Sequence, residues 1–270
     1  MSQAANLFFP PGSNRATAAK GGFRFGHVGT HSSRTMMLEE LATVLAIVPP
    51  DAKSEVYATA IVEENCLGKQ TVATRRHSLQ HLRELYGLDP STPLFRVLSG
   101  LWHVDAASGP LLALLSSLAR DPLLRATAAV IIDMPEKTEF QRTAVRGALA
   151  DSVQDRLNES TINKAVRNAA STWSQAGHLE GRTFKFRRLV QATPTSIAFA
   201  LYLARLAGFA VNESFASGWI SVLDCGRSAA IELAMSAKRM GLIDLRMAGD
   251  IIDLNLNRLD PFFASTSQTR

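Results

Sequence analysis

Between Arg34 and Leu45 the apolar side chains Met37, Leu41, Val44 and Leu45 recur at the three- and four-residue spacing that lines one face of a helix. Pro49 and Pro50 end that pattern, because proline lacks the N–H that would continue the ladder. A second helix is expected from Asp51 through Val56, Ala60, Ile61 and Val62, stopping between Asn65 and Gly68. A third runs from about Thr71 to Tyr86, with Val72, Leu79, Leu82 and Tyr86 on its core side and Gly87 and Pro90 closing it. Two helices joined by a short glycine-containing turn are the skeleton of a helix-turn-helix. From Ser91 to Met134 the chain is apolar and helical in three stretches, "PLFRVLSGLWHV", "GPLLALLSSLA" and "DPLLRATAAVIIDM", each opening near a proline. These read as packing helices, with Trp102 and His103 as a pair at the edge of the core.

A polar-faced helix follows in "PEKTEFQRTAVRGALADSV", and then a stretch of different character, "STINKAVRNAASTWSQAGHLEGRTFKFRRL". Ser160 is the expected N-cap of its helix. Ile162, Val166, Ala169 and Trp173 fall on one face, while Lys164, Arg167, Asn168, Ser171 and Gln175 occupy the other with no carboxylate among them. After Gly177 the chain alternates through a turn at Glu180-Gly181-Arg182, which predicts a hairpin with Phe184 and Phe186 packed inward and Lys185 and Arg187 projecting together. Beyond Pro194, helices are expected at about 195–208, 213–224 and 226–240, followed by a second hairpin around Ala248-Gly249-Asp250. The predicted fold class is therefore mainly α: tandem helix-turn-helix or winged-helix modules with short β-hairpin wings.

The expected organisation is a flexible basic tail over 1–32, an N-terminal helix-turn-helix module over 33–105, a central winged-helix module over 106–191, a C-terminal helical module with a β-hairpin over 192–263, and a tail over 264–270. If the first tail docks, Phe8, Phe9, Phe23 or Phe25 are the side chains expected to do it. A chain of 270 residues with 46% hydrophobic and 20% charged residues has ample material for a core. Cys66 and Cys225 match no metal or redox spacing and read as reduced thiols, and no uninterrupted apolar run reaches membrane-spanning length. With no signal-peptide pattern at the start, a cytoplasmic location without membrane contact is expected.

Charge sharpens this outline. Residues 156–191 carry seven Lys or Arg against Glu159 and Glu180, a surplus of five that equals the formal net charge of the whole chain, +5. Such segregation suits a polyanion, because each cation set on a phosphate releases a condensed counterion. The candidate DNA contacts are Lys164, Arg167, Asn168, Ser171, Arg182, Lys185 and Arg187, joined by Lys69, Gln70, Thr71 and Arg76 at the start of the helix beginning near Thr71. Double-stranded DNA is the expected partner; the alternative is a scaffold or interaction protein whose basic surface takes an acidic protein. The second hairpin, with Asp244, Asp250 and Asp253, is expected to avoid phosphate. No catalytic residue, cofactor or metal site is expected: no phosphate-binding glycine loop of the Walker type is present. Glu63 and Glu64 point about 100° apart on a helix, and His77 and His81 lack a third ligand.

Two segments, "SSRTMMLEELATVL" at 32–45 and "IVEENCLGKQTVATRRHSLQHLREL" at 61–85, carry a resemblance to a known family. Glu64, Asn65, Leu67, Lys69 and Thr71 match a Glu-Asn-x-Leu-x-Lys-x-(Ser/Thr) junction that leads into a basic helix, and the Gly-Leu-Ile hairpin at 241–243 is compatible with it. In these residues the chain resembles the BrxA family of the BREX bacteriophage-defence systems. The resemblance implies a small, non-enzymatic component with helix-turn-helix or winged-helix modules that binds double-stranded DNA, with other proteins of the same defence system as candidate partners. Gly68 stands where the family frequently has glutamine, and the N-terminal segment of about 30 residues is longer than the family leads one to expect.

Overall fold

The computed structural model describes residues 7–154, 156–249 and 251–261, and over them the chain is mainly helical with two small antiparallel hairpins. A short helix, α1 (Arg15–Lys20), and a 3-10 turn (Thr30–Ser32) lead into α2 (Leu38–Ile47), α3 (Ser54–Val62) and α4 (Val72–Tyr86). The apolar stretch forms α5 (Pro93–Val104), α6 (Gly109–Arg120) and α7 (Pro122–Ile132), each with proline in its first turn. Next come α8 (Arg142–Val153), α9 (Glu159–Gln175) and the first hairpin, β1 (Leu179–Glu180) and β2 (Phe186–Arg187). The chain closes with α10 (Pro194–Leu206), the short α11 (Val211–Ser214) and α12 (Gly218–Ser221), α13 (Arg227–Arg239), and the hairpin β3 (Asp244–Ala248) and β4 (Ile251–Asn255).

Local chemistry sets the helix ends. Thr71 caps α4 by accepting from the N–H of Thr74 at 3.1 Å, and Gly87, at φ +96°, takes the chain away from its other end. Asn158 rather than Ser160 caps α9, its Oδ1 accepting from the N–H of Thr161 at 2.9 Å, so the helix starts one residue ahead of Ser160. Where one helix was expected at 213–224, the chain makes the two short turns of α11 and α12.

The centre of the molecule is built from α6 and α10. Every residue from Leu111 to Ala119 and from Thr195 to Ala204 is buried, and α6 packs against α2, α4, α5, α7, α9 and α10. The buried apolar side chains form one contiguous cluster running from Phe8 to Leu256, so the modules expected at 33–105, 106–191 and 192–263 share a core. The C-terminal end returns to it: Asp260, fully buried, accepts from the Tyr202 hydroxyl at 2.7 Å and from Arg96 at 2.8 Å.

Over 7–32 the expected flexible tail is instead built into the fold. Phe8 and Phe23 pack edge-on against Trp219, whose indole N–H donates to the Phe8 carbonyl at 3.0 Å. The Leu94 N–H donates to the Gly21 carbonyl, and the Arg24 N–H to the Ala119 carbonyl. Three buried phenylalanines, Phe8, Phe9 and Phe23, supply the apolar area that offsets ordering a glycine-rich segment. Residues 1–6, the expected tail at 264–270, and Asp250 of the second hairpin turn lie outside the described residues.

Around the first hairpin the ladder is wider than two strands. β2 pairs with β1 through Leu179↔Arg187 and Glu180↔Phe186, and on its other edge it bridges to Glu139. There the Phe140 N–H donates to the Lys185 carbonyl at 2.7 Å, and the Arg187 N–H to the Thr138 carbonyl at 2.9 Å. Among the described residues no helix is long and apolar enough to cross a membrane.

Candidate nucleic-acid interface

Helix α9 sits with Ala165, Val166, Ala169, Ala170 and Trp173 in the core, as the apolar spacing demands. Trp173 is fully buried and donates its indole N–H to Thr127 Oγ1 at 2.9 Å. At 100° per residue, Ser160, Lys164, Arg167, Ser171 and Ser174 lie within an arc of about 80°, forming one ridge along the outer side. Lys164 and Arg167 are exposed on that ridge, and neither has a carboxylate within ion-pair distance among the described residues.

Beside the first half of the ridge, α8 presents Arg142 and Arg146, one turn apart. Together with Glu159, Ser160, Asn163 and Arg167 they line an open groove of about 600 Å³. Arg146 is paired with Glu159 at 2.7 Å, both side chains largely exposed, while Arg142 has no such partner among the described residues. These two arginines and Asn163 did not enter the sequence reading. The available signal was the four-residue spacing of arginines on the preceding helix, which places them on one face.

At the other end of the ridge the hairpin is turned over relative to expectation. Phe184 and Phe186 are 64% and 40% exposed, whereas Arg187 is 1% exposed. The alternation predicted from the sequence is present; the inward face is the cationic one. Arg187 donates from Nε to the Ile131 carbonyl at 3.0 Å and from its terminal nitrogens to the Arg188 carbonyl and the Asp224 carboxylate. A guanidinium held by three hydrogen bonds, one of them to a carboxylate, can be buried, and it is withdrawn from any external phosphate. Lys185 is half-buried, its Nζ donating to Ser174 Oγ at 2.7 Å and to the Gly181 carbonyl at 3.3 Å, which ties the hairpin to the end of the α9 ridge. The hairpin cations left outside are Arg182 and Arg188, the latter 3.7 Å from Glu180.

The remaining candidates divide. Asn168 donates to the His31 carbonyl at 2.9 Å and Gln175 to Thr35 Oγ1 at 3.4 Å, so this flank of α9 braces the N-terminal segment. Ser171 is half-buried beside them. Lys69 is paired with Glu40 at 3.0 Å, the Thr71 hydroxyl is spent on its cap, and Gln70 is exposed. Val72, expected in the core, is 47% exposed. Arg75 fastens the turn before α4, donating to the Val62 and Lys69 carbonyls. Arg76 points elsewhere, to a hollow shared with Arg24, Arg83 and Arg120.

Behind the ridge lies a buried polar chain that the sequence did not disclose. Asp121 Oδ2 is 2.8 Å from His31 Nδ1, and His31 Nε2 is 2.8 Å from Thr172 Oγ1, all three residues being buried. The order carboxylate, imidazole, hydroxyl is that of a nucleophile relay, but Thr172 is fully buried, and the Met36 N–H already donates to its hydroxyl. Its role is structural: Asp121 also caps α7 by accepting from the N–H groups of Leu123 and Leu124. Burial works against ionising Asp121, yet the charge and donors of His31 together with the Leu124 N–H hold its carboxyl below the usual range. His178 is a second buried imidazole, pushed down to about 4 mainly by burial, with Nε2 2.7 Å from the Val222 carbonyl.

Cys66 and Cys225 are free thiols, and among the described residues no group of three or more His, Cys, Asp or Glu side chains is placed to hold a metal ion. No protein-family profile matches this chain, and no curated protein matches it.

Proposed function

We propose that the protein binds double-stranded DNA, laying the outer ridge of α9 along the duplex as a non-enzymatic component of a BREX-like bacterial phage-defence system. The observation that carries the binding half of this reading is the acid-free ridge bearing Lys164 and Arg167 beside Arg142 of α8. The order α7, bridging segment 137–140, α8, α9, β1, β2 agrees with a winged helix, in which the second helix of the pair enters the major groove and the hairpin lies alongside. In that arrangement Lys164, Arg167 and Arg142 meet phosphates, Ser160, Asn163 and Ser171 face base edges, and Arg182 at the hairpin reaches the neighbouring backbone. Arg187, Asn168 and Lys69 leave the contact set, since each is committed within the protein. The defence-system assignment rests on the sequence resemblance alone.

The test is a binding series on arbitrary duplex DNA at several salt concentrations. Affinity is expected to fall with a log–log slope of roughly −0.9 for each phosphate neutralised. The double change Lys164→Glu, Arg167→Glu should lower affinity by at least tenfold at moderate salt while leaving the melting temperature unchanged. Unaltered DNA affinity in that variant would overturn the assignment of the surface, and salt-insensitive or absent DNA binding would favour an acidic protein as the partner.

A further inference from the structure

A second concentration of positive charge lies away from α9, where the N-terminal segment crosses the end of α4. Arg24, Arg76, Arg83 and Arg120 surround an open hollow of about 360 Å³, with Gln80 and Glu84 completing its wall. Four guanidiniums thus face one carboxylate, and none of the four makes an ion pair among the described residues. The Glu84 carboxylate is itself occupied, accepting from Thr30 Oγ1 at 2.8 Å and from Gln80 at 3.2 Å, with His81 3.4 Å away.

Part of this arrangement has a structural reason. Arg24 donates to the Glu84 carbonyl, and Arg120 donates to the Glu84, Arg83 and Gly22 carbonyls, so both satisfy groups at the C-terminal end of α4, where positive charge is favoured. Those carbonyl bonds do not extend to Arg76 and Arg83, although Arg83 also lies in the favourable last turn of α4. Both are exposed, sit two turns apart on one side of α4, and have no side-chain hydrogen-bond partner among the described residues. Crowding opposes the assembly: Arg120 is pushed down to about 10, by burial first and then by the charge of Arg24. Even with its carbonyl bonds made, Arg120 retains two N–H groups and Arg24 four, by the count of five per guanidinium. Forked donors in this number suit an oxyanion with several acceptor oxygens better than a lone carboxylate.

We infer that this hollow is a phosphate-binding site, separate from the α9 ridge, in which Arg76 and Arg83 clamp the phosphate from above and Arg24 and Arg120 supply the floor. The inference does not depend on α9 meeting DNA. The phosphate can belong to a small molecule or to a nucleic-acid backbone, and two measurements separate these sources. Calorimetric titration with inorganic pyrophosphate at constant ionic strength reads the first. A salt series on duplex DNA reads the second.

The informative variant is Arg76→Gln, Arg83→Gln, which removes the two arginines without a side-chain hydrogen-bond partner among the described residues and is expected to melt with the parent. For a small-molecule site, the parent binds pyrophosphate and the variant binds it at least tenfold more weakly. For a backbone site, pyrophosphate binds weakly throughout, and the variant's log–log salt slope on DNA is shallower by about two. Unchanged pyrophosphate affinity together with an unchanged DNA slope would overturn the inference. Running the Lys164→Glu, Arg167→Glu protein alongside keeps the two readings apart, because its pyrophosphate binding should equal the parent's even if the α9 proposal fails. Should the glutamine variant not fold, Arg76→Lys, Arg83→Lys keeps the charge, removes the fork, and should still weaken pyrophosphate binding.

Discussion

At the scale of single residues, Asp121 shows how one buried carboxylate holds two segments together. It receives the N–H and ring of His31, both at 2.8 Å, and caps α7 at 2.9 and 3.2 Å. Gly29 is required beside it, since a Cβ at that position would stand 2.0 Å from Asp121 Oδ1. Because the folded carboxyl is held below its ordinary value, its stabilisation is complete above the unfolded value, near 3.8, and is lost as the pH falls through the lower folded one. Asp121→Asn should therefore cost about 2–3 kcal/mol near neutrality, the worth of hydrogen bonds to a charged group. Thermal melts taken below pH 4 should show the variant losing less stability than the parent over that window. Equal losses would place the acid sensitivity on other carboxylates.

At the scale of elements, the first hairpin separates what alternation fixes from what it leaves open. Period-2 patterning assigned Phe184 and Phe186 to one face and Lys185 and Arg187 to the other, and their burial keeps that division. Which face turns inward depends on what waits below. Here that is the Ile131 carbonyl and the Asp224 carboxylate, groups that an apolar ring cannot satisfy. Arg187→Ala should consequently cost on the order of 3–5 kcal/mol, by leaving Asp224 buried without its partner. Phe184→Ala should change stability by no more than about 0.5 kcal/mol. Denaturant midpoints would check both, and the reverse ranking would mean that the rings, not the guanidinium, anchor the hairpin. Helix α9 was legible for a simpler reason: its 17 residues carry both a continuous apolar stripe and an acid-free opposite stripe, so neither orientation nor charge was ambiguous.

At the scale of the whole molecule, the single core running from Phe8 to Leu256 makes the N-terminal segment a structural part rather than an appendage. Residues 24–36 bridge the two basic surfaces: Thr30 bonds to Glu84 of α4 and His31 to Asn168 and Thr172 of α9. Removing residues 1–32 should thus abolish cooperative unfolding, or lower the melting temperature by more than 10 °C on the scale of several lost kcal/mol. A truncated protein that melts like the parent would restore the picture of a loose tail.

The amino-acid sequence by itself determined α2 to α10 and α13, most of their approximate ends, the positions of both hairpins, and the outward cationic side of α9. All of these follow from spacing, proline, glycine and capping residues within a few turns of one another. The tertiary structure alone decided the docking of Phe8 and Phe23 on Trp219, the burial of Arg187, the pairing of Lys69 with Glu40, and the meeting of Arg24 with Arg76, Arg83 and Arg120. Each joins residues that no local period relates. A side chain's environment is set by partners the chain brings from 29 to more than 200 positions away, and periodicity carries no information about them.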